Sequence, residues 1–409
     1  MIQRRSHGTG AQRITQIRGA NRALVLQTLR KFPQISRAEL ARRTGLSEGA
    51  VSRISADLLQ QRLILEQGAE NSTGGRPGTR LELDQTHHRA IGVDIRQWET
   101  RVSLGNLQGQ VLETHRFRTP SSSKRTLDMV VEQVALLHAD LEAGCAHGVG
   151  VSVRGIVDHE NGVVELGSAR TWDRVNVKEY LEERLALPVF VDNDVRAAAL
   201  AQFRLGSTEV HDSRCMLFIR VDEGVGMGIV MDGKIYRGTH RSAGEIGQMV
   251  VADAPGVGVQ DRPGCLELMA ANPATFQRYQ SLSSENRPMS GESESRVRKI
   301  CHLAMAGNPH AVEAIRASAR FLGIGIANVI WCMNADVVYI DGAITDAWPI
   351  VIEAIQEQLP VGEEFLHFHN ILLRPSALGQ DAGIAGALVL PFVELFELGE
   401  SPVIAATSN

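Results

Sequence analysis

Two short helical segments joined by a tight turn, at residues 36–60, constrain the fold of this chain more than any other feature. Ser36 and Glu39 form the S-x-x-E pattern of a capping box, in which each side chain satisfies a backbone N–H group of the first helical turn. This helix breaks at Gly45, and Ser47 provides the hydroxyl that starts the next one. The pattern predicts a helix-turn-helix.

The flanking segments extend this prediction. Apolar residues recur at helical spacing over 21–32, which predicts an amphipathic helix ahead of the motif. Two strand-like runs follow at 63–66 and 80–83, and the turn-rich loop between them carries Arg76. We therefore predict a winged helix-turn-helix domain over residues 1–85.

In such a domain the N-terminal residues of the second helix reach base edges in the DNA major groove. Gly49, Ala50 and Ser52 are small enough for close approach, and Arg53 would read a guanine edge or hold a phosphate. An arginine at the wing tip would enter the minor groove. The candidate DNA-binding set is Arg37, Arg42, Arg43, Ser47, Glu48, Gly49, Ala50, Ser52, Arg53 and Arg76. The alternative is a helical module for protein interaction or dimerisation.

The charge distribution favours DNA over that alternative. Residues 1–65 hold 12 Arg and Lys against 3 Asp and Glu, a charge of +9, which leaves 30 against 44, or -14, for the rest. A compact basic end attracts a polyanion, and an acidic body is repelled by it. We therefore expect double-stranded DNA to bind the N-terminal end.

Composition limits the remaining possibilities. With 409 residues, 44% hydrophobic and 22% charged, the chain is expected to form two or three globular domains rather than a disordered or fibrous structure. No uninterrupted apolar run approaches the roughly 20 residues of a membrane span, and the first residues lack the apolar segment of a signal peptide. Five scattered cysteines show no C-x-x-C spacing. These features predict a cytoplasmic protein with reduced thiols, no disulfide framework and no membrane partner.

Beyond about residue 88, strand-like and helical runs alternate. Three β-rich runs and a helix are followed by further strands and helices up to about residue 206, and a second round starts with a hairpin at Cys215. Each round opens with a hairpin. The repetition predicts an α/β fold built of two similar halves.

Several motifs resemble the transcriptional regulators of the ROK family (repressors, open reading frames and sugar kinases). They are SRAELARRTGLSEGAVSRISADLL with STGGRP behind it, VDNDVRAAALAQFRLG, DEGVGMGIVMDGKIYRG and SAGEIGQMVV followed by PGCLE. The resemblance implies an actin-like, sugar-kinase type fold with two lobes around a cleft. We expect this domain to span residues 86–409, with lobes at about 86–210 and 211–409.

The resemblance also implies where the chain departs from the family's kinases. Their D-x-G-G-T hairpin, which cradles ATP phosphates, corresponds here to Asp94 followed by Arg96, Gln97 and Trp98, so both glycines are missing. We expect no phosphoryl transfer, no cofactor and no catalytic residue. A second glycine run survives at Gly224, Gly226 and Gly228, and suits a tight hairpin or a phosphate cradle.

The positions that bind the sugar in the family retain more of their residues than the phosphate-binding hairpin does. By resemblance, Asn193 would bind a sugar hydroxyl, Asp194 takes the position of the kinase general base, and Glu245 and Glu267 would grip further hydroxyls. Gln248 could add a hydrogen bond. The alternative for Asn193 and Asp194 is a plain N-terminal helix cap.

The family's structural zinc site is not kept. Gln248 replaces the histidine ligand, Gly258 and Gln260 stand where two cysteines would be, and Cys265 remains. One ligand cannot hold zinc, so we expect no metal.

Together these features predict a DNA-binding transcriptional regulator. The expected role is repression of carbohydrate metabolism genes, with a sugar or sugar derivative as effector and a homodimer or tetramer on a palindromic operator. One alternative is an active ATP-dependent sugar kinase with an appended DNA-binding domain, favoured by Asp194. Another is a regulator whose signal is a protein partner instead of a sugar.

Overall fold

The computed structural model describes residues 10–69, 79–206, 213–253, 263–283, 291–359 and 371–399. Among these, the chain forms two compact units. The first unit comprises the described residues up to Asp192 together with those from Ala387 onward, and the second comprises Asn193–Gly386.

The first unit opens with a three-helix module and a small antiparallel sheet in the order β1-β3-β2. Its elements are α1 (Gly10–Lys31), β1 (Ile35–Ser36), α2 (Arg37–Thr44), α3 (Glu48–Gln60), β2 (Ile64–Ala69) and β3 (Thr79–Leu83). The helix predicted over 21–32 begins earlier, at Gly10. Ile17, which precedes the predicted range, is 60% exposed, so it does not extend the buried face of this helix.

The two predicted hydroxyl caps are present, whereas the Glu39 carboxylate of the expected capping box pairs with Arg42 and Arg43. The Ser36 hydroxyl accepts a hydrogen bond from the Glu39 backbone N–H, and the Ser47 hydroxyl accepts one from Ala50, both at 3.3 Å. Gly45 ends α2 with a φ of 69°, a left-handed conformation that suits glycine. These three residues fix the turn between α2 and α3, so the helix-turn-helix prediction is confirmed in its geometry.

The rest of the first unit is built on a five-stranded sheet in the order β11-β7-β4-β5-β6. The strands β4 and β5 form an antiparallel hairpin, and β4 pairs with β7 in parallel. A separate three-stranded sheet has the order β10-β9-β8. The elements are β4 (Arg89–Ile95), β5 (Glu99–Asn106), β6 (Val111–Arg118), α4 (Ser123–Ala139), β7 (Ala146–Val153), β8 (Gly155–Asp158), β9 (Val163–Gly167), β10 (Val175–Asn176), α5 (Val177–Leu185) and β11 (Val189–Asn193).

The second unit repeats this plan. Its sheet has the order β14-β13-β12-β15-β16, with β12 antiparallel to β13 and parallel to β15. The duplicated pattern expected from the sequence is therefore present. The elements are α6 (Asp194–Leu205), β12 (Cys215–Val221), β13 (Val225–Met231), β14 (Lys234–Ile235), α7 (Leu266–Ala270), α8 (Asn272–Ser283), α9 (Ser293–Met305), α10 (Pro309–Met333), β15 (Val337–Asp341), α11 (Trp348–Gln356) and β16 (Leu372–Pro375).

Helix α10 is long and apolar enough to cross a membrane by length and composition alone, although polar and charged residues interrupt its apolar runs. Half of its most apolar stretch is buried in the structure. Ile315, Leu322 and Ile326 belong to the core that fills the second unit between its sheet and its helices. This burial is typical of a core helix.

The C-terminal residues return to the three-helix module. Helix α12 (Ala382–Val389) begins in the second unit and ends in the first, and a short 3-10 turn leads to α13 (Val393–Leu398). Three of the residues that follow α12, Phe392, Leu395 and Phe396, share one apolar core with α1, α2 and α3. No local pattern reveals that residues so far apart share a core, and the division expected at 85/86 and near 210 stays a prediction.

Candidate functional site

Helix α3 presents a polar face to solvent and buries the opposite one. Val51, Ser55 and Leu58 are buried in the module's core. The predicted base-contacting residues Ser47, Glu48, Gly49, Ser52 and Arg53 are exposed, and Ala50 is half-buried. The structure thus brings the predicted residues of this helix together on one surface.

Gly49 has no packing reason to be glycine. A Cβ atom built on it meets no heavy atom within 4 Å. Arg53, one turn further along, donates a hydrogen bond from Nε to the Gly49 carbonyl at 3.3 Å. The first turn of α3 is therefore an open, shallow surface next to a guanidinium group, a shape that admits the edge of a base pair.

The arginines of α2 have acidic partners within the module. Arg37 pairs with Glu66, and Arg42 and Arg43 both pair with Glu39. These pairs are solvent-accessible, and surface ion pairs of this kind contribute little stability, so DNA phosphates can compete for the arginines. Their contact with DNA stays a prediction, and Arg76 lies outside the described residues.

A second set of polar residues lies in the second unit, at the start of α6. The side-chain oxygen of Asn193 accepts hydrogen bonds from the backbone N–H groups of Val195 and Arg196, at 3.0 and 3.1 Å. Its amide nitrogen donates to Asp194 at 3.1 Å. The capping role considered for Asn193 is therefore present, and it fixes the orientation of the Asp194 carboxylate.

Glu245 is hydrogen-bonded through its main chain to Gln248 and lies within electrostatic reach of Glu267. Gln248 donates its backbone N–H to the Glu245 carbonyl at 3.2 Å, and Glu267 accepts one from the Val225 N–H at 3.2 Å. Glu245 is exposed, yet the surrounding protein desolvates its carboxylate. This desolvation, with the negative charges of Asp194 and Glu267, raises the pKa of Glu245.

The structure thus brings the predicted ligand residues into one acidic and amide-rich set. The side-chain carbonyl oxygen of Gln248 is buried and has no hydrogen-bond partner among the described residues. A buried polar atom without a partner is unfavourable, so a hydroxyl donor would be stabilised at this point. The arrangement suits binding of a polyhydroxylated molecule.

The residues at the family's zinc position do not fit zinc. Cys265 is buried at the start of α7, and Gln248 offers an amide where a histidine would be needed. Gly258 and Gln260 lie outside the described residues. Within the described ranges, no group of three His, Cys, Asp or Glu residues could hold a metal ion.

The β4–β5 hairpin holds an ion pair where the family's kinases have glycines. Arg96 donates from Nε to Asp94 at 2.7 Å, and Ser152 donates to the same buried carboxylate at 3.1 Å. Gln97 and Trp98 at the turn are exposed. Asp94 is thus held within the hairpin by side chains of the first unit.

The second glycine run has a packing role. A Cβ atom on Gly226 would lie 3.0 Å from the side chain of Val195, and one on Gly228 would lie 2.4 Å from Ala199. Both contacts belong to α6, so these two glycines let the helix lie close against β13. This explains them without a phosphate.

Sequence reasoning missed two buried histidines near the end of α3. His88 and His147 are 2% and 1% exposed and are hydrogen-bonded to each other. Periodicity analysis indicates buried apolar positions and says nothing about buried polar pairs. The available signal was His88, which stands at the start of the otherwise mostly apolar run 88–95.

Comparisons with known proteins identify the family and the N-terminal domain of this chain. Residues 90–392 match the ROK family, and residues 21–64 match a winged helix-turn-helix DNA-binding domain. The xylose repressor of Bacillus subtilis is 25% identical over 94% of this chain and 98% of its own length. The transcriptional dual regulator NagC of Escherichia coli is 28% identical over 83% of this chain and 84% of its own.

A solved structure shows the same fold over nearly the whole chain. It is a ROK family transcriptional regulator described as a homologue of the E. coli Mlc protein, with a TM-score of 0.78, 23% identity and coverage of 95% of this chain and 100% of that one. Sugar kinases of the family are also among the similar structures. The resemblance and the fold class inferred from the sequence are therefore confirmed.

Proposed function

Because the chain belongs to the ROK family and begins with a winged helix-turn-helix domain, we propose that it is a DNA-binding transcriptional regulator. The exposed polar face of α3 carries this proposal. The relatives named above are repressors or regulators, which supports repression as the direction of control. The genes it controls would be those of carbohydrate metabolism.

DNA recognition would start from the first turn of α3. Gly49, Ala50 and Ser52 let the backbone approach the bases, while Arg53 contacts a base edge or a phosphate. Ser47 and Glu48 lie at the same end of the helix. Arg37, Arg42 and Arg43 would exchange their acidic partners for phosphates, and Arg76 would reach the minor groove. Pairing of two such modules on a palindromic operator requires a homodimer or a tetramer.

The effector would bind in the second unit. Asp194, Glu245 and Glu267 accept hydrogen bonds from sugar hydroxyls, and Gln248 supplies a further acceptor. Asn193 holds Asp194 in place through its amide group. A sugar or sugar derivative suits these acceptors, since each ring hydroxyl can donate one hydrogen bond.

Control requires that the effector distinguish two conformations. A sugar changes DNA affinity only if it binds the DNA-binding and non-binding states with different affinities. The chain offers a covalent route for this coupling, because α12 leaves the second unit and its continuation, α13, packs on α1. A change in the second unit can thus reach the winged module.

We propose that the chain is not an enzyme. The Arg96–Asp94 ion pair fills the hairpin that binds phosphates in the family's kinases, and Gly226 and Gly228 serve packing against α6. The residues present do not fit a metal-bound nucleotide. Asp194, at the kinase general-base position, favours the alternative of an active sugar kinase.

Two assays separate these functions. Selection from random double-stranded DNA should yield a defined, palindromic sequence, and incubation with ATP, magnesium and a panel of hexoses, pentoses and amino sugars should yield no sugar phosphate. Turnover that Asp194→Asn abolishes would establish the kinase. Failure to select any DNA would contradict the proposed role as a DNA-binding regulator. We expect the protein in the cytoplasm, where its DNA lies.

A further inference from the structure

Two buried histidines connect the end of the recognition helix α3 to the sheet of the first unit. His88, just before β4, lies with Nε2 2.9 Å from the main-chain oxygen of Gln61. His147, in β7, lies with Nε2 2.8 Å from His88 Nδ1. A continuous hydrogen-bonded chain therefore runs from Gln61 through His88 to His147.

The main-chain oxygen of Gln61 determines which atom donates and which accepts in both hydrogen bonds of this series. A carbonyl can only accept, so His88 donates from Nε2 to Gln61. With His88 neutral, its Nδ1 carries no proton and must accept, so His147 donates from its own Nε2. Two neutral rings with protons on Nε2 satisfy both bonds.

Gln61 is the residue at which α3 ends. The chain turns there through Arg62, whose φ is 54°, with hydrogen bonds from Arg62 to Leu59 and from Leu63 to Leu58 of 3.0 and 2.9 Å. This leaves the Gln61 carbonyl without a helical partner, as expected for a helix end. His88 satisfies that carbonyl, while Arg22 of α1 donates to the Gln61 side chain.

At the other end of this hydrogen-bonded series, His147 contacts the C-terminal segment. The ring of His147 lies 4.8 Å from that of Phe392, which is 2% exposed and belongs to the core of the winged module. The same segment contacts α1, where Gln27 donates to the Phe396 carbonyl. The two histidines therefore lie between α3 and the part of the chain that returns from the second unit.

We propose that His88 and His147 are positioning residues for DNA recognition, which hold the C-terminal end of α3 at a fixed angle to the rest of the first unit. The DNA-contacting surface lies at the opposite end of the same helix. A small rotation at Gln61 is therefore carried along α3 to the residues that meet the bases. This inference rests on the proposed DNA-binding function.

The surrounding protein keeps both histidine rings neutral, which the two hydrogen bonds require. Burial lowers the pKa of His88 to about 4 and that of His147 to about 3. The charged and titratable groups that act on His88 are His87, Arg62 and Asp84. Burial opposes a proton on His88, as do His87 and Arg62, and together they outweigh the hydrogen bond to the Gln61 carbonyl and the charge of Asp84, which favour it.

The test compares substitutions at His147. His147→Leu removes the donor to His88, whereas His147→Gln places an amide donor at nearly the same reach. His115→Leu is the matched control, because His115 lies in β6 of the same unit and bonds to Gln133 and Glu113 rather than to α3. The readout is the Kd for DNA selected by the unsubstituted protein, measured where circular dichroism shows every variant to be fully folded.

We expect His147→Leu to raise this Kd by about ten-fold, the size expected when a buried polar group loses its partner. His147→Gln and His115→Leu should bind like the unsubstituted protein. A histidine with only a structural role would lower the Tm of the folded protein and leave the Kd unchanged. An unchanged Kd for a folded His147→Leu therefore overturns the proposal.

Two further results keep the test decisive if His147→Leu does not fold. His147→Asn has an amide too short to reach His88, so it should bind DNA more weakly than His147→Gln, and equal binding overturns the proposal. Nitrogen NMR of the unsubstituted protein should show His88 protonated on Nε2, and protonation on Nδ1 overturns it. If the unsubstituted protein selects no DNA, the proposed function itself fails.

Discussion

The guanidinium group of Arg96 donates to the carboxylate of Asp94 across 2.7 Å, inside the turn that joins β4 and β5. Asp94 is 1% exposed, so its charge is separated from water, and Arg96 and Ser152 are among the groups that stabilise it. A carboxylate held in this way is part of the hairpin's own structure. The ion pair therefore contributes to the stability of the hairpin.

Arg96→Ala should therefore destabilise the first unit. Loss of a charged partner from a buried carboxylate costs about 1 to 3 kcal/mol of unfolding free energy, measured by urea denaturation. Arg125→Ala, which removes an exposed arginine from α4, should change it by less than about 0.5 kcal/mol. Equal stability of the two variants would show that the ion pair contributes nothing.

Arg53→Ala should weaken binding to selected DNA while leaving the fold intact, because Arg53 is exposed on α3. If Arg53 contacts a base, discrimination at one position should fall by about 1 to 3 kcal/mol. If it contacts a phosphate, all sequences should lose affinity alike. Fluorescence anisotropy with single-base variants of the DNA distinguishes the two, and an unchanged affinity would remove Arg53 from the interface.

Gly49→Ala should separate stability from recognition. The added methyl group meets no heavy atom within 4 Å in the free protein. Alanine favours a helix over glycine by up to about 1 kcal/mol, so the Tm should be unchanged or slightly higher. DNA affinity should fall, because the methyl group occupies the space for a base edge. Unchanged DNA affinity would show that this turn of α3 does not approach the bases.

Acidification should reduce stability through His88 and His147. Their folded pKa values, about 4 and about 3, lie below the ordinary 6.5, so the unfolded chain takes up protons first as the pH falls. The unfolding free energy should therefore decrease from about pH 6.5 towards pH 4. In His147→Gln this decrease should be shallower, and identical slopes would contradict buried neutral rings.

The sequence predicted those features that depend on local chemistry. Ser36, Gly45 and Ser47 act through hydrogen bonds and dihedral angles within a few residues, so their patterns alone located the helix-turn-helix. The alternation of strands and helices similarly predicted the duplicated sheets. Local patterns are sufficient where an element is stabilised by its own neighbours.

Features that depend on distant contacts could not be predicted. The break between β7 and β8 lies just before Gly155, which has a φ of 128° and where a Cβ atom would lie 2.2 Å from the Leu166 carbonyl oxygen. His88 pairs with a residue 59 positions away. Gly226 and Gly228 were ambiguous until Val195 and Ala199 were seen against them. Such contacts are set by tertiary packing, which a single sequence does not display.

Among the predicted ligand residues, too, some features depend on local chemistry and others on distant contacts. Asn193 before α6 was recognisable as a cap from its position, whereas the electrostatic effect of Asp194 and Glu267 on Glu245 requires the folded second unit. The buried oxygen of Gln248 is likewise a property of the fold. The resemblance to the ROK family supplied these residues as candidates, and their binding of hydroxyl groups stays a prediction.

We propose that a sugar bound in the second unit controls DNA binding by α3. The most direct measurement is the Kd for selected DNA with and without each neutral, amino and phosphorylated sugar, in the unsubstituted protein and in Asp194→Ala. We predict that at least one sugar changes the Kd by about five-fold or more, a typical coupling between two sites, and that Asp194→Ala binds the DNA but loses this response. A response that survives in Asp194→Ala, or DNA binding that no sugar changes, would contradict the account.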